Sequence, residues 1–166
     1  MNERVSRPES NARRFEKSAA ATREAIRVFP DYADTVIWYR GPVPYEDTRL
    51  SEGLVADMED WEANYHASLD ESYSFESRRA ESDHITRGLE IAMALSEEIG
   101  DILPVEADAI GGLKTRLLTP GMGTNPEARA SFAEMRTEAK QEDARIAAML
   151  RSGAKFDLRP YSGPQG

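Results

Sequence analysis

His66 and His84 are the only imidazoles in the chain, and each has a glutamate within one helical turn. Glu62 and His66 stand at i, i+4 and Glu81 and His84 at i, i+3, so each pair shares a face where its segment is helical. Glu-x-x-His is one element of a carboxylate-bridged di-metal bundle, which needs two such motifs and two more glutamates on facing helices. Only Glu81–His84 has that spacing. The expectation is therefore no bound metal and no cofactor, with Glu62, His66, Glu81 and His84 the nearest approach to a ligand set. There is no cysteine, which excludes disulfides, thiolate metal sites and cysteine nucleophiles together.

Other chemistry is no better supported. Adjacent carboxylates occur at Glu59-Asp60, Asp70-Glu71 and Glu97-Glu98, but general acid–base work needs one group whose surroundings shift its pKa, and spacing does not reveal burial. Ser51, Ser68 and Ser82 lack a G-x-S-x-G context. Gly121-Met122-Gly123-Thr124-Asn125 places Gly-x-Gly ahead of a helix, yet Pro126 and the missing third glycine make it a plain loop. Trp38, Tyr39 and Tyr45 near two prolines suit either an exposed aromatic patch or the core. Trp61, on a helical stripe, reads as core, where it would meet Trp38.

Charge is the stronger signal. The chain carries a net −9, but residues 46–108 hold 18 acidic against 4 basic residues, while both flanks are mildly basic. A field of that sign repels phosphate backbones and favours basic partners, so nucleic acid is not expected as a ligand. The longest apolar runs are a few residues, too short to span a membrane. Residues 1–14 are polar and basic without an apolar core, so no secretory signal is read and a cytoplasmic location is the simplest assignment.

The elements that must position these groups follow from periodicity. Ile85, Leu89, Ala92, Leu95 and Ile99 form a narrow helical stripe that Gly100 closes, followed by a strand over 102–108. Before it, Ser51 caps a helix with Leu54, Met58, Trp61 and Tyr65 on its inner side. Asp57, Glu59, Asp60 and Glu62 are assigned to the outer side of that helix. Thr35-Val36-Ile37-Trp38-Tyr39 is the best strand, ended by Gly41-Pro42, and residues 41–45 read as an extended loop. Phe15, Ala19, Ile26 and Phe29 keep a helical spacing up to Pro30. Gly111-Gly112 between two β-capable runs reads as a hairpin. Asn125 or Thr124 caps a last helix carrying Ala128, Phe132, Met135, Ala139, Ile146 and Met149, closed by Gly153. An edge strand is expected at 156–158. The domain reading is a flexible leader over 1–9, one domain over 10–158 with its core at 34–118 and a C-terminal helix at 126–152, and a tail over 159–166.

The strand at 35–39, the Leu50-Ser51 helix start with Trp61 and Tyr65, the helix from Gly88-Leu89 to Gly100 and the Val105 strand recur in this order elsewhere. In this the chain resembles a loose group of small, acidic, uncharacterised proteins from high-GC bacteria over residues 34–108. The resemblance implies a β-α-α-β core and brings no activity or site residues.

These observations combine into an α+β or α/β domain with a small sheet of three to five strands covered by three or four helices. The expected function is a non-catalytic acidic protein-binding module, of the immunity or antitoxin type, which engages a basic protein partner through Asp57, Glu59, Asp60 and Glu62. Two alternatives stand beside it: a small carboxylate- or metal-dependent hydrolase, and an assembly subunit that forms homo-oligomers through its terminal helices.

Overall fold

The computed structural model describes residues 24–31 and 33–152. The expected leader, the helical stripe at Phe15 and Ala19, the stop at Gly153, the strand at 156–158 and the tail all fall outside them. The order of elements is β1 (Ile26–Val28), β2 (Ile37–Trp38), α1 (Tyr45–Thr48), α2 (Glu52–Ala67), α3 (Arg78–Ile99), a 3-10 turn (Gly100–Ile102), β3 (Val105–Ala109), β4 (Leu113–Leu117) and α4 (Pro126–Arg151). The sheet runs β2-β1-β3-β4, with β1 antiparallel to β2 and parallel to β3, and β4 antiparallel to β3. The protein is α+β.

The centre of the sheet overturns one expectation. Ile26 and Phe29 belong to no helix here: Ile26-Arg27-Val28 is the inner strand, paired on both sides. A helical spacing of two residues is also compatible with a strand, and alternation decides it. Ile26 and Val28 are buried, Arg27 is not, and both buried positions are β-branched. Residues 35–39 yield only the two-residue edge β2; the implied β-α-α-β order runs from β2 through α2 and α3 to β3, with the single turn α1 added and β1 inserted between β2 and β3 in the sheet. The loop expected at 41–45 is also shorter, because Tyr45 opens the single turn α1.

The hairpin is as read from Gly111-Gly112: Ala109 pairs with Leu113, leaving Ile110-Gly111-Gly112 as its loop. Asn125 caps α4 by accepting from the Ala128 amide at 3.1 Å, and Pro126 takes the first helical position, where no amide donor is needed. Backbone contacts divide the chain into two compact units between Ala133 and Glu134, within α4. In the second unit every residue from Lys140 to Arg151 is exposed.

α3 lies along β3 and packs against α2. Its inner side is Gly88, Ile91, Ala92, Leu95, Ser96 and Ile99. The expected stripe was therefore correct at Ala92, Leu95 and Ile99 but is displaced at Leu89 and Ile85, which are half-buried, while Ile91 is enclosed. These side chains meet Ile26, Val28, Val105 and Leu103 in the core, where each large aliphatic group contributes about 1.5–3 kcal/mol by leaving water. Ser96 is enclosed without penalty because its hydroxyl accepts from the Thr119 amide at 3.0 Å and bonds Thr119 Oγ1 at 2.9 Å.

Candidate functional site

α2 begins at Ser51, whose Oγ accepts from the Leu54 amide at 3.3 Å. Ser51 is held in turn by Glu98 of α3, whose carboxylate accepts from the Ser51 amide at 3.0 Å and from the Ser51 hydroxyl. With this register Leu54, Met58 and Trp61 face inward. The four carboxylates assigned to the outer side then separate into different environments. At 100° per residue, Asp57 and Glu62 flank the apolar stripe on opposite sides, and only Glu59 and Asp60 project fully outward. Asp57 pairs with Arg87 of α3 at 2.6 Å, and the same guanidinium reaches Glu90 at 2.9 Å. Glu62 is half-buried, and its carboxyl titrates above the usual range. Burial is the main cause; the Asp34 and Glu59 carboxylates push the same way, and His66 opposes them. Nearby, the Tyr45 hydroxyl accepts from the Val36 amide at 3.2 Å, and its pKa is raised chiefly by burial, with Glu62 and Glu59 adding to the shift. Of the four carboxylates, Glu59 and Glu62 therefore share a flank near Asp34, Asp60 lies on the other, and Asp57 is committed to an ion pair.

Both Glu–His pairs lie on helices, but the histidines differ. His66 is exposed and meets Tyr65 edge-on at 5.2 Å. His84 is half-buried and stacks on Trp61 with ring centroids 4.6 Å apart and planes within 13°. Tyr65 lies 5.0 Å and Phe75 5.3 Å from the same imidazole. Burial lowers the His84 pKa to about 4, against an opposing pull from Asp108, so the ring is neutral at physiological pH. Among the described residues no three histidine, aspartate or glutamate side chains gather to hold a metal ion.

Local grammar explains this aromatic cluster. Trp61 donates its indole N–H to the His84 carbonyl at 3.0 Å. Its ring also lies on Gly88 so closely that a Cβ there would stand 2.6 Å from Cζ2. Phe75 is presented by the turn after α2, where Asp70 accepts from the Ser72 and Ser74 amides at 2.8 and 3.1 Å and Leu69 bridges to Phe75. Those donors, led by the Ser72 hydroxyl, hold the Asp70 carboxyl below the usual range. Trp38 takes no part, since it stacks on Phe29 at 5.0 Å and donates to the Phe29 carbonyl at 3.3 Å. The two tryptophans therefore have separate partners, contrary to the expected Trp38–Trp61 contact.

Trp61, Tyr65, Phe75 and His84 form one wall of a cavity of about 670 Å³. The opposite wall comes from the carboxyl ends of the parallel strands β1 and β3, including Phe29, Ala107 and Asp108. Open α/β sheets commonly bind ligands at this end of their parallel strands. Arg27, Glu81, Glu106 and Lys114 add charge to the lining. Lys114 pairs with Asp108, and Glu106 bonds Arg116 at 2.8 Å. Glu81 and His84, noted for their spacing, line this cavity together with Phe29 and Phe75, for which spacing suggests no such role. The available signal was weak: aromatic residues dotted through a polar connection, and a glycine on the inner face of a helix.

The chain belongs to the Serratia CdiI immunity protein-like family, whose model matches residues 24–106. The matched segment runs from the residues before β1 into β3 and contains the whole aromatic wall and all of α2. No curated protein and no solved structure matches the chain.

Proposed function

We propose that this protein is a non-catalytic immunity protein that binds a protein toxin, and that α2 presents its contact surface to a basic patch on that toxin. The family match over α2 carries this reading. The carboxylates give it a physical form. Glu59 and Asp60 are exposed, and Glu62 is kept beside Glu59 and Asp34 at a cost in folding that a cationic partner would relieve. Clustered charge of one sign accelerates encounter with an oppositely charged surface and rejects partners of the same sign. Blocking a toxin by binding it requires no group in this chain to react.

Purification of the protein from its host should bring down a stoichiometric basic protein. Replacing both Glu59 and Asp60 with lysine should then slow association with that protein by about tenfold at low salt, with the difference shrinking as ionic strength rises. An association rate unchanged at low salt removes α2 from the interface. Purification with no partner at all counts against the immunity reading itself.

A further inference from the structure

The cavity is separate from the exposed carboxylates of α2, and its lining has a chemistry of its own. Tyr65, Phe75 and His84 are half-buried, so each ring keeps part of its surface open. Glu81, exposed in the first turn of α3, stands one helical turn before His84. Of the charges in the lining, Asp108 pairs with Lys114 and Glu106 with Arg116, which leaves Glu81 and Arg27 as the charges that face each other across the cavity mouth. His84, neutral at physiological pH, adds no positive charge to that balance. The opposite wall already shows which group such a surface accepts: the Arg27 guanidinium lies over the Phe29 ring, 5.3 Å from its centroid.

We propose that this cavity is the receptor for an arginine side chain of the toxin partner, stacked on the Tyr65, Phe75 and His84 rings and paired with Glu81. This rests on the immunity reading above and adds to it the identity of the partner's central side chain. A guanidinium is planar, weakly hydrated and permanently charged, so it stacks on aromatic faces with less desolvation than an ammonium group. A cavity of about 670 Å³ is ample for that side chain and its flanking backbone. Arginine is also among the residues that dominate protein interfaces when seated in an enclosed pocket. A phosphate would meet the exposed Glu81 carboxylate, and a purely aliphatic group would make no ion pair with it.

The test uses the full chain and two small probes, N-acetyl-arginine methylamide and its neutral isostere N-acetyl-citrulline methylamide, followed by NMR of backbone and indole N–H groups. The arginine probe should shift the Trp61 indole, Gly88 and Asp108 signals at millimolar concentration, and the citrulline probe should bind about tenfold more weakly. Glu81→Gln, an exposed change that spares the fold, should weaken the arginine probe severalfold, and Phe75→Ala should abolish its effect. Equal binding of the two probes, shifts confined to α2 carboxylates, or a silent cavity each overturn the guanidinium assignment. With the co-purified partner, Phe75→Ala should reduce affinity by at least about tenfold. Unchanged affinity overturns the cavity's role while leaving the immunity reading standing, because that reading depends on the partner's presence and on Glu59 and Asp60.

Discussion

Over its last two turns the inner face of α3 is closed, whereas over its first three it borders an open cavity. At the closed end Leu95 and Ile99 are fully enclosed, and Glu98 accepts from Ser51 and, at 2.8 Å, from the Asn125 amide group. One carboxylate therefore joins the caps of α2 and α4. Arg129 completes the closure by donating to the Ile99 carbonyl at 3.0 Å and to Asp101 at 2.8 Å. At the open end the side chains are aromatic, half-buried and stacked on one another, with charged groups at the rim. The first end ties Ser51, Glu98, Asp101, Asn125 and Arg129 into internal bonds, which fixes the fold. The second leaves ring faces and the exposed Glu81 carboxylate to be covered from outside. Mutations should separate the two accordingly.

The largest effect is expected where backbone meets backbone at the closed end. Gly100 has φ +68°, and a Cβ there would lie 2.3 Å from the Gly121 carbonyl oxygen and 2.5 Å from the Gly123 nitrogen. Neither neighbour is a side chain that can swing away. Gly100→Ala should cost roughly 4 kcal/mol from left-handed strain and overpacking together, read from the midpoint shift in urea unfolding. Leu95→Ala should follow at about 3 kcal/mol, as an enclosed leucine leaves a cavity. Leu89→Ala, at a half-buried position nearer the open end, should cost about 1 kcal/mol. Equal costs for the two leucines would mean that α3 is rotated so that Leu89 faces the core as Leu95 does.

The closed end was also the legible end. Gly100 as a helix stop and Ser51 and Asn125 as caps are local signals there, as is the Gly111-Gly112 turn beside the cavity; in each a residue type has few conformations available and declares its position. The elements of α2 and α3 follow from period, and so does most of their buried face. β1 was hidden because three residues are too few to reveal a period, and its pairing with β3 is set by contacts some 80 positions away in the chain. The Asp57–Arg87 pair was hidden for the same reason, since net charge along a helix says nothing of a cation on its neighbour. The cavity is the least legible feature. Its rings come from Phe29 just after β1, from α2, the following turn and α3, and only packing brings them together.

At the open end His84 offers a pH test of intermediate size. Its pKa is about 4 when folded and near 6.5 when unfolded, so the unfolded chain takes up the proton first as pH falls. Stability contributed by the neutral ring is complete above pH 6.5 and is lost progressively between pH 6.5 and 4. His84→Phe keeps a planar ring on Trp61 and removes the titration. The stability difference between variant and parent, followed by thermal melting, should therefore move in the variant's favour across that window. A difference independent of pH would mean that the imidazole is as well solvated when folded as when unfolded.

The smallest effects are expected on α2, and their signs matter more than their sizes. Glu62 has a raised pKa in the fold, so its ionised form is disfavoured there relative to the unfolded chain. That burden is absent at pH 3, where the carboxyl is protonated in both states, and is complete once pH exceeds the folded pKa. Glu62→Gln should therefore raise the melting temperature slightly at pH 7 and leave it unchanged at pH 3. Asp57→Asn should do the reverse at neutral pH, lowering stability by up to about 1 kcal/mol, because it leaves Arg87 with Glu90 as its remaining acidic partner. The two carboxylates sit five residues apart on one helix and would be indistinguishable to any argument from net charge. If both substitutions moved stability the same way, the separation of Asp57 as internal scaffold from Glu62 as part of an unrelieved negative cluster would fail. The case for α2 as the partner-facing helix would then rest on Glu59 and Asp60 alone.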